Sequence, residues 1–92
     1  MRKIFIILYS GSNSNAVETA VKSYDSWFHF GKDSFLISTP NNTKAEQIRL
    51  KLEPNIVVGK DKILVMEVNI KDANGYLHDN EWDWIKSERS RV

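Results

Sequence analysis

The chain has two histidines, twelve carboxylates and no cysteine. Any chemistry it performs therefore runs on imidazole and oxygen groups, with no thiolate nucleophile, thiolate metal site or disulfide framework. His29, inside Trp27-Phe28-His29-Phe30, is the best single candidate for proton transfer, because imidazole titrates near neutral pH. Asp33, just past Gly31-Lys32, could orient His29 or bind a metal. The alternative is a satisfied hairpin histidine beside a turn aspartate that bonds its own backbone. His78 stands in a polar stretch and is expected in solvent. The two histidines lack metal-ligand spacing, and the chain has no Gly-rich phosphate loop or nucleophile elbow.

A second group of candidates would bind instead of react. Ser10-Gly11-Ser12-Asn13-Ser14-Asn15 follows an apolar run and precedes an expected helix, whose free amides and dipole favour an anion. Ser10, Ser12 and Asn13 could hold a phosphate there without metal; a plain polar connection explains the same residues. Arg49 is a candidate phosphate contact, or else an exposed salt-bridging arginine. Phe28, Trp27, Trp82 and Trp84 could stack bases, or could serve as core and dimer contacts.

The elements that must position these residues start with Ile4-Phe5-Ile6-Ile7-Leu8-Tyr9, a short apolar run read as a strand buried on both faces. Alternation puts Ile4, Ile6 and Leu8 on one side and Phe5, Ile7 and Tyr9 on the other. Ser14 or Asn15 caps a helix of about 9 to 11 residues with Ala16, Val17, Ala20, Val21 and Tyr24 on its apolar stripe. Residues 26–39 form a β-hairpin turning at Gly31-Lys32-Asp33, and Pro40 ends it. Thr43-Lys44-Ala45-Glu46 fits a capping box for a helix carrying Ala45, Ile48 and Leu52, with Pro54 at its exit. After a loop over 55–61, residues 62–70 form the fourth strand.

Strand, helix, strand, strand, helix, strand is the βαββαβ order of the ferredoxin-like α+β fold: a four-stranded antiparallel sheet with two helices on one face. The chain reads as a single domain over 1–92. Residues 1–70 are its core, and 71–92 form a C-terminal extension with an Asp79-capped helix over 81–86 and a tail that frays. Two helices cover one sheet face only. The other is expected to be closed by a homodimer contact, with Tyr9, Trp27, Tyr76, Trp82 and Trp84 as its candidates, or by the extension folding back.

A net charge of +1 does not announce a nucleic-acid binder. The longest apolar run is too short to span a membrane, and Met1-Arg2-Lys3 leads straight into a strand. A cytoplasmic protein is expected.

Several stretches, taken in order, resemble the SinR-like family of small bacterial and phage proteins. They are Ile6-Ile7-Leu8-Tyr9, Lys22-Ser23, Trp27-Phe28-His29, Asp33 to Thr39, Glu46-Gln47-Ile48-Arg49 with Leu52, Asp61 to Val65, and Trp84-Ile85. That family is similar to the CRISPR-associated Cas-two nucleases and the VapD ribonucleases. The resemblance implies a ferredoxin-like homodimer in which a C-terminal segment can cross to the partner. In the nuclease relatives the first strand ends in Tyr-Asp, and the paired aspartates of the dimer are proposed to hold a divalent metal. Here the pair is Tyr9-Ser10, and a neutral hydroxyl does not replace a carboxylate as an Mg²⁺ ligand.

The resemblance thus implies a dimer that binds nucleic acid, or a protein of a phage-defence or toxin–antitoxin system, without cofactor and without cutting. Two alternatives stay open. One is a divalent-metal-dependent endonuclease using Mg²⁺, with Asp25, Asp33 or Glu18 as substitute acid beside Ser10. The other is a phage-encoded inhibitor on the same scaffold.

Overall fold

The computed structural model describes residues 1–92. In chain order the elements are β1 (Arg2–Ser10), α1 (Ser14–Val21), β2 (Trp27–Gly31), β3 (Ser34–Pro40), α2 (Ala45–Leu52), a 3-10 turn (Glu53–Asn55), β4 (Lys62–Val68) and α3 (Asp79–Arg89). The four strands form one antiparallel sheet in the order β2-β3-β1-β4. This is the ferredoxin-like βαββαβ arrangement, with α3 as an appendage.

The register of β1 sorts the apolar residues into two layers. Phe5 lies beside Ile37, and Ile7 lies between Phe35 and Val65. With Tyr9 these side chains meet Val17 and Val21 of α1 and Ile48 and Leu52 of α2 in one buried cluster. Each such side chain contributes about 1.5–3 kcal/mol on leaving water. The opposite face carries Ile4, Ile6 and Leu8, as strand alternation requires.

α3 folds back over one end of that second face. The Trp84 ring lies 5.7 Å from Phe28. Trp84 Nε1–H donates to Ser26 Oγ at 3.1 Å, and Ser26 Oγ–H donates to Glu88 Oε2 at 2.9 Å. Arg91 donates to the same carboxylate oxygen at 2.9 Å. Arg89 reaches the Ile70 carbonyl at 2.9 Å, and the Arg2 amide donates to the Arg91 carbonyl at 2.8 Å. Glu88 is buried, and its Oε1 has no hydrogen-bond partner.

Several sequence expectations are corrected here. The tail does not fray: α3 runs on to Arg89, and Arg91 is tied to the start of β1. His78, not Asp79, precedes the first turn of α3, where Glu81 Oε1 accepts from the His78 amide at 3.0 Å. α1 is eight residues long and follows Asn13, whose side chain is spent on the Asn55 carbonyl and caps nothing. At α2 the amide of Lys44 is satisfied by Gln47 Oε1 at 2.7 Å, so Glu46 is not the reciprocal partner. β4 ends at Val68 because Asn69 leaves the ladder, its Oδ1 accepting from the Lys71 amide at 2.9 Å.

Removing the buried carboxylate should loosen α3. Glu88→Ala is expected to lower unfolding free energy by about 1–3 kcal/mol, since it strands the Ser26 hydroxyl. Glu88→Gln, which keeps an acceptor, should lose less. Urea denaturation followed by tryptophan fluorescence measures both; equal losses would place the contribution in the charge on Glu88 instead of its hydrogen bond to Ser26.

Candidate functional site

The C-terminal tip of β1 gathers a cluster of polar groups around Tyr9. Tyr9 points into the helix-covered layer and is only 6% exposed. A phenol in such a place needs a partner. Its hydroxyl donates to Asp61 Oδ2 at 3.1 Å and accepts from the Asn13 amide at 2.8 Å. Asp61 Oδ2 also accepts from the Val57 amide at 2.9 Å. On the other side, the Tyr9 amide donates to the Asp33 carbonyl at 2.9 Å.

The register explains why Asp61 is there. Ser10 pairs with Lys62, so one step further along the two strands brings Asp61 across from Gly11. A methyl group on Gly11 would run into the Asp61 carboxyl and the Tyr9 hydroxyl. Glycine is therefore demanded here by close approach. Burial pushes the Tyr9 hydroxyl pKa above its usual value; the Asn13 amide opposes this, while the bond and charge of Asp61 and the charge of Asp33 add to it.

Ser10 and Ser12 lie exposed at this tip, and Asn13 is half-buried. Asn13 Nδ2 donates to the Asn55 carbonyl at 3.1 Å, fastening the loop to the exit of α2. The first-turn amides of α1 are close by, but so are the carboxylates that raise the Tyr9 pKa, and these oppose an anion.

His29 and Asp33 are not hydrogen-bonded to each other. The His29 ring stacks on Phe35 with centroids 4.5 Å apart, and its Nε2 lies 3.0 Å from the Lys32 carbonyl. Asp33 Oδ1 is buried without a hydrogen-bond partner. Asp25 is at the far end of β1, 3.0 Å from Arg2, and Glu18 is paired with Lys22 at 2.6 Å, which holds its carboxyl below the usual range. Arg49 is paired with Glu53 at 3.2 Å and borders the same shallow concavity as Asp61 and Lys62. No three His, Asp or Glu side chains converge as a metal-ligand set.

The aromatic candidates separate. Tyr9 is a core residue of its own chain, so its place is not at a surface contact. Trp27 lies under the Lys22 ammonium, 4.9 Å from the ring centre. Trp84 is spent on Phe28 and Ser26, Trp82 is half-buried on α3, and Tyr76 is fully exposed. Asp61 was not singled out from the sequence, because it falls in what reads as a loop. The one signal for it is that a buried Tyr9 requires a partner, and pairing β4 with β1 supplies it.

No family model, no curated protein and no solved structure gives a match to this chain.

Two outcomes follow for the tip. Gly11→Ala is expected to cost about 1–3 kcal/mol by forcing Asp61 and Tyr9 apart, read by thermal or urea denaturation. Because the folded state holds the Tyr9 proton more tightly than the unfolded state, stability should fall as pH rises past 10. Tyr9→Phe should reduce that alkaline loss, the remainder belonging to Tyr24, whose hydroxyl pKa burial also raises. An unchanged alkaline slope in Tyr9→Phe would mean the loss arises elsewhere.

Proposed function

We propose that this chain is a small homodimeric binding protein of the SinR-like, Cas-two-like kind. It holds nucleic acid, or a protein of a phage-defence or toxin–antitoxin system, without cutting it. The observation that carries this reading is the uncovered half of the second sheet face. α3 covers the end near Ile4 and Phe28, leaving Leu8, Leu64 and Met66 respectively 39%, 50% and 50% exposed. Leu8 pairs directly with Leu64, and Ile6 with Met66, so these residues form one contiguous strip. β4, which supplies half of it, is also an edge strand. A contiguous apolar strip at a sheet edge suits a two-fold contact, in which the same patch meets itself.

The absence of cutting is supported by the chemistry of the tip. Mg²⁺ prefers charged oxygen ligands in octahedral geometry. Ser10 offers a neutral hydroxyl, and Asp61 Oδ2 is already engaged by Tyr9 and Val57. This donor set does not fit the ion. A phage-encoded inhibitor on the same scaffold would use the same strip and the same tip.

Light scattering coupled to size exclusion tests the dimer. The wild type should elute at twice the chain mass, and Met66→Asp should elute at once that mass with an unchanged far-ultraviolet spectrum; a monomeric wild type overturns the dimer. Labelled RNA and DNA titrated with Mg²⁺ and Mn²⁺ test the chemistry. The wild type is expected to leave both intact. Chelator-sensitive cleavage by the wild type would overturn the binding-only reading in favour of the endonuclease, and cleavage by Ser10→Asp alone would show a scaffold lacking only its acid.

A further inference from the structure

We propose that the groove between the end of β2 and the start of α3 binds an arginine or lysine side chain presented by a flexible segment of a partner protein. The proposal rests on the reading of the chain as a binding protein and names the chemistry of its partner. The groove is lined by Phe30, Tyr76, Leu77, His78 and Glu81. Phe30 is 63% exposed and Tyr76 is fully exposed. Phe30 keeps most of its ring in solvent and Tyr76 all of it, and both border the same concavity. Phe30 is held in place: its ring stacks at 6.3 Å on Phe28, which in turn meets Trp84 at 5.7 Å. The groove is thus the open end of an aromatic ladder that continues under α3.

Charge decides the occupant. Glu81 is the charged side chain that lines the groove, Asp79 and Asp83 line the neighbouring depression on α3, and residues 72–83 carry no lysine or arginine. The ion pairs of the chain lie elsewhere, at Arg2–Asp25, Lys22–Glu18, Arg49–Glu53 and Arg91–Glu88. Lys32 and Lys71, the cations nearest to Phe30 and Tyr76 in sequence, do not line the groove, and Lys86 borders a separate depression with Asp79, Trp82 and Asp83. Acids in the first turn of α3 stabilise the helix dipole, and Glu81 Oε1 accepts from the His78 amide. That role accounts for the acids but not for the exposed rings beside them. Aromatic faces next to a carboxylate suit a guanidinium or ammonium group, which stacks on the rings and pairs with the acid. A phosphate would meet repulsion from Glu81, and a purely apolar side chain would desolvate that carboxylate without compensation.

The test is an amide NMR titration of the full chain with the capped peptide acetyl-Gly-Arg-Leu-Arg-Gly-amide, its lysine counterpart, and its glutamate counterpart as control. Saturable shifts centred on Phe30 and residues 76–83 are expected with the two cationic peptides and none with the acidic one. Phe30→Ala and Glu81→Gln should each weaken binding by about tenfold. The glutamine keeps the acceptor for the His78 amide, and far-ultraviolet circular dichroism checks that both variants fold. Absence of saturable shifts, equal response to the acidic peptide, or shifts centred on Leu8, Leu64 and Met66 would overturn the proposal. So would displacement of the peptide by a single-stranded oligonucleotide bound in the groove, or a change in oligomer mass in Phe30→Ala, which would make the groove a contact between copies. Failure here with the dimer mass intact leaves the dimer reading standing.

Discussion

The structure depends on the burial of β1 on both faces. Its hydrogen bonds are spent sideways on β3 and β4, so its side chains can leave water only if something lies above and below the sheet. α1 and α2 meet that demand for Phe5, Ile7 and Tyr9. The demand on the other side, from Ile4, Ile6 and Leu8, is met by α3 at one end only. The division of that second face into a covered and an uncovered half follows from the length of one helix and the place where it docks.

Polar clasps close the two ends of β1, and each exists because a buried polar group needs a partner. At the C-terminal tip the Tyr9 phenol is held between the Asn13 amide and the Asp61 carboxylate. At the other end Arg2 donates to Ser38 Oγ at 2.9 Å and to the Ser38 carbonyl at 2.8 Å, close to where Arg91 and Glu88 anchor α3. With its Oδ2 committed to a phenol and an amide, the Asp61 carboxylate is a structural acceptor that ties the 57–61 loop to the tip of β1.

α3 gives the molecule a second, charge-sorted feature. Its first half carries Asp79, Glu81 and Asp83, and its last turn and tail carry Lys86, Arg89 and Arg91. This order complements the helix dipole. The basic end is used internally, on Glu88, Ile70 and β1. At the acidic end Glu81 borders Phe30 and Tyr76 while Asp79 and Asp83 are exposed beside Trp82, so one element both seals the sheet and leaves an acidic edge in solvent.

What the sequence determined was everything set by local periodicity and turn chemistry. The alternation in 4–9 placed Phe5, Ile7 and Tyr9 together, Gly31-Lys32-Asp33 turned the hairpin, and the spacing of Val17 with Val21 and of Ile48 with Leu52 gave the helix faces. These held because each was supported by neighbours within a few residues. The caps expected at Ser14 or Asn15, at Thr43 with Glu46, and at Asp79 did not, since the helices begin after Asn13, Lys44 and His78. The tertiary structure alone decided which face of β1 stays half open, that Asp61 meets Tyr9, and that Glu88 is buried beneath α3. Those outcomes depend on strand register and helix docking between residues separated by 52 or 62 positions, and no pattern within a single segment encodes such distances.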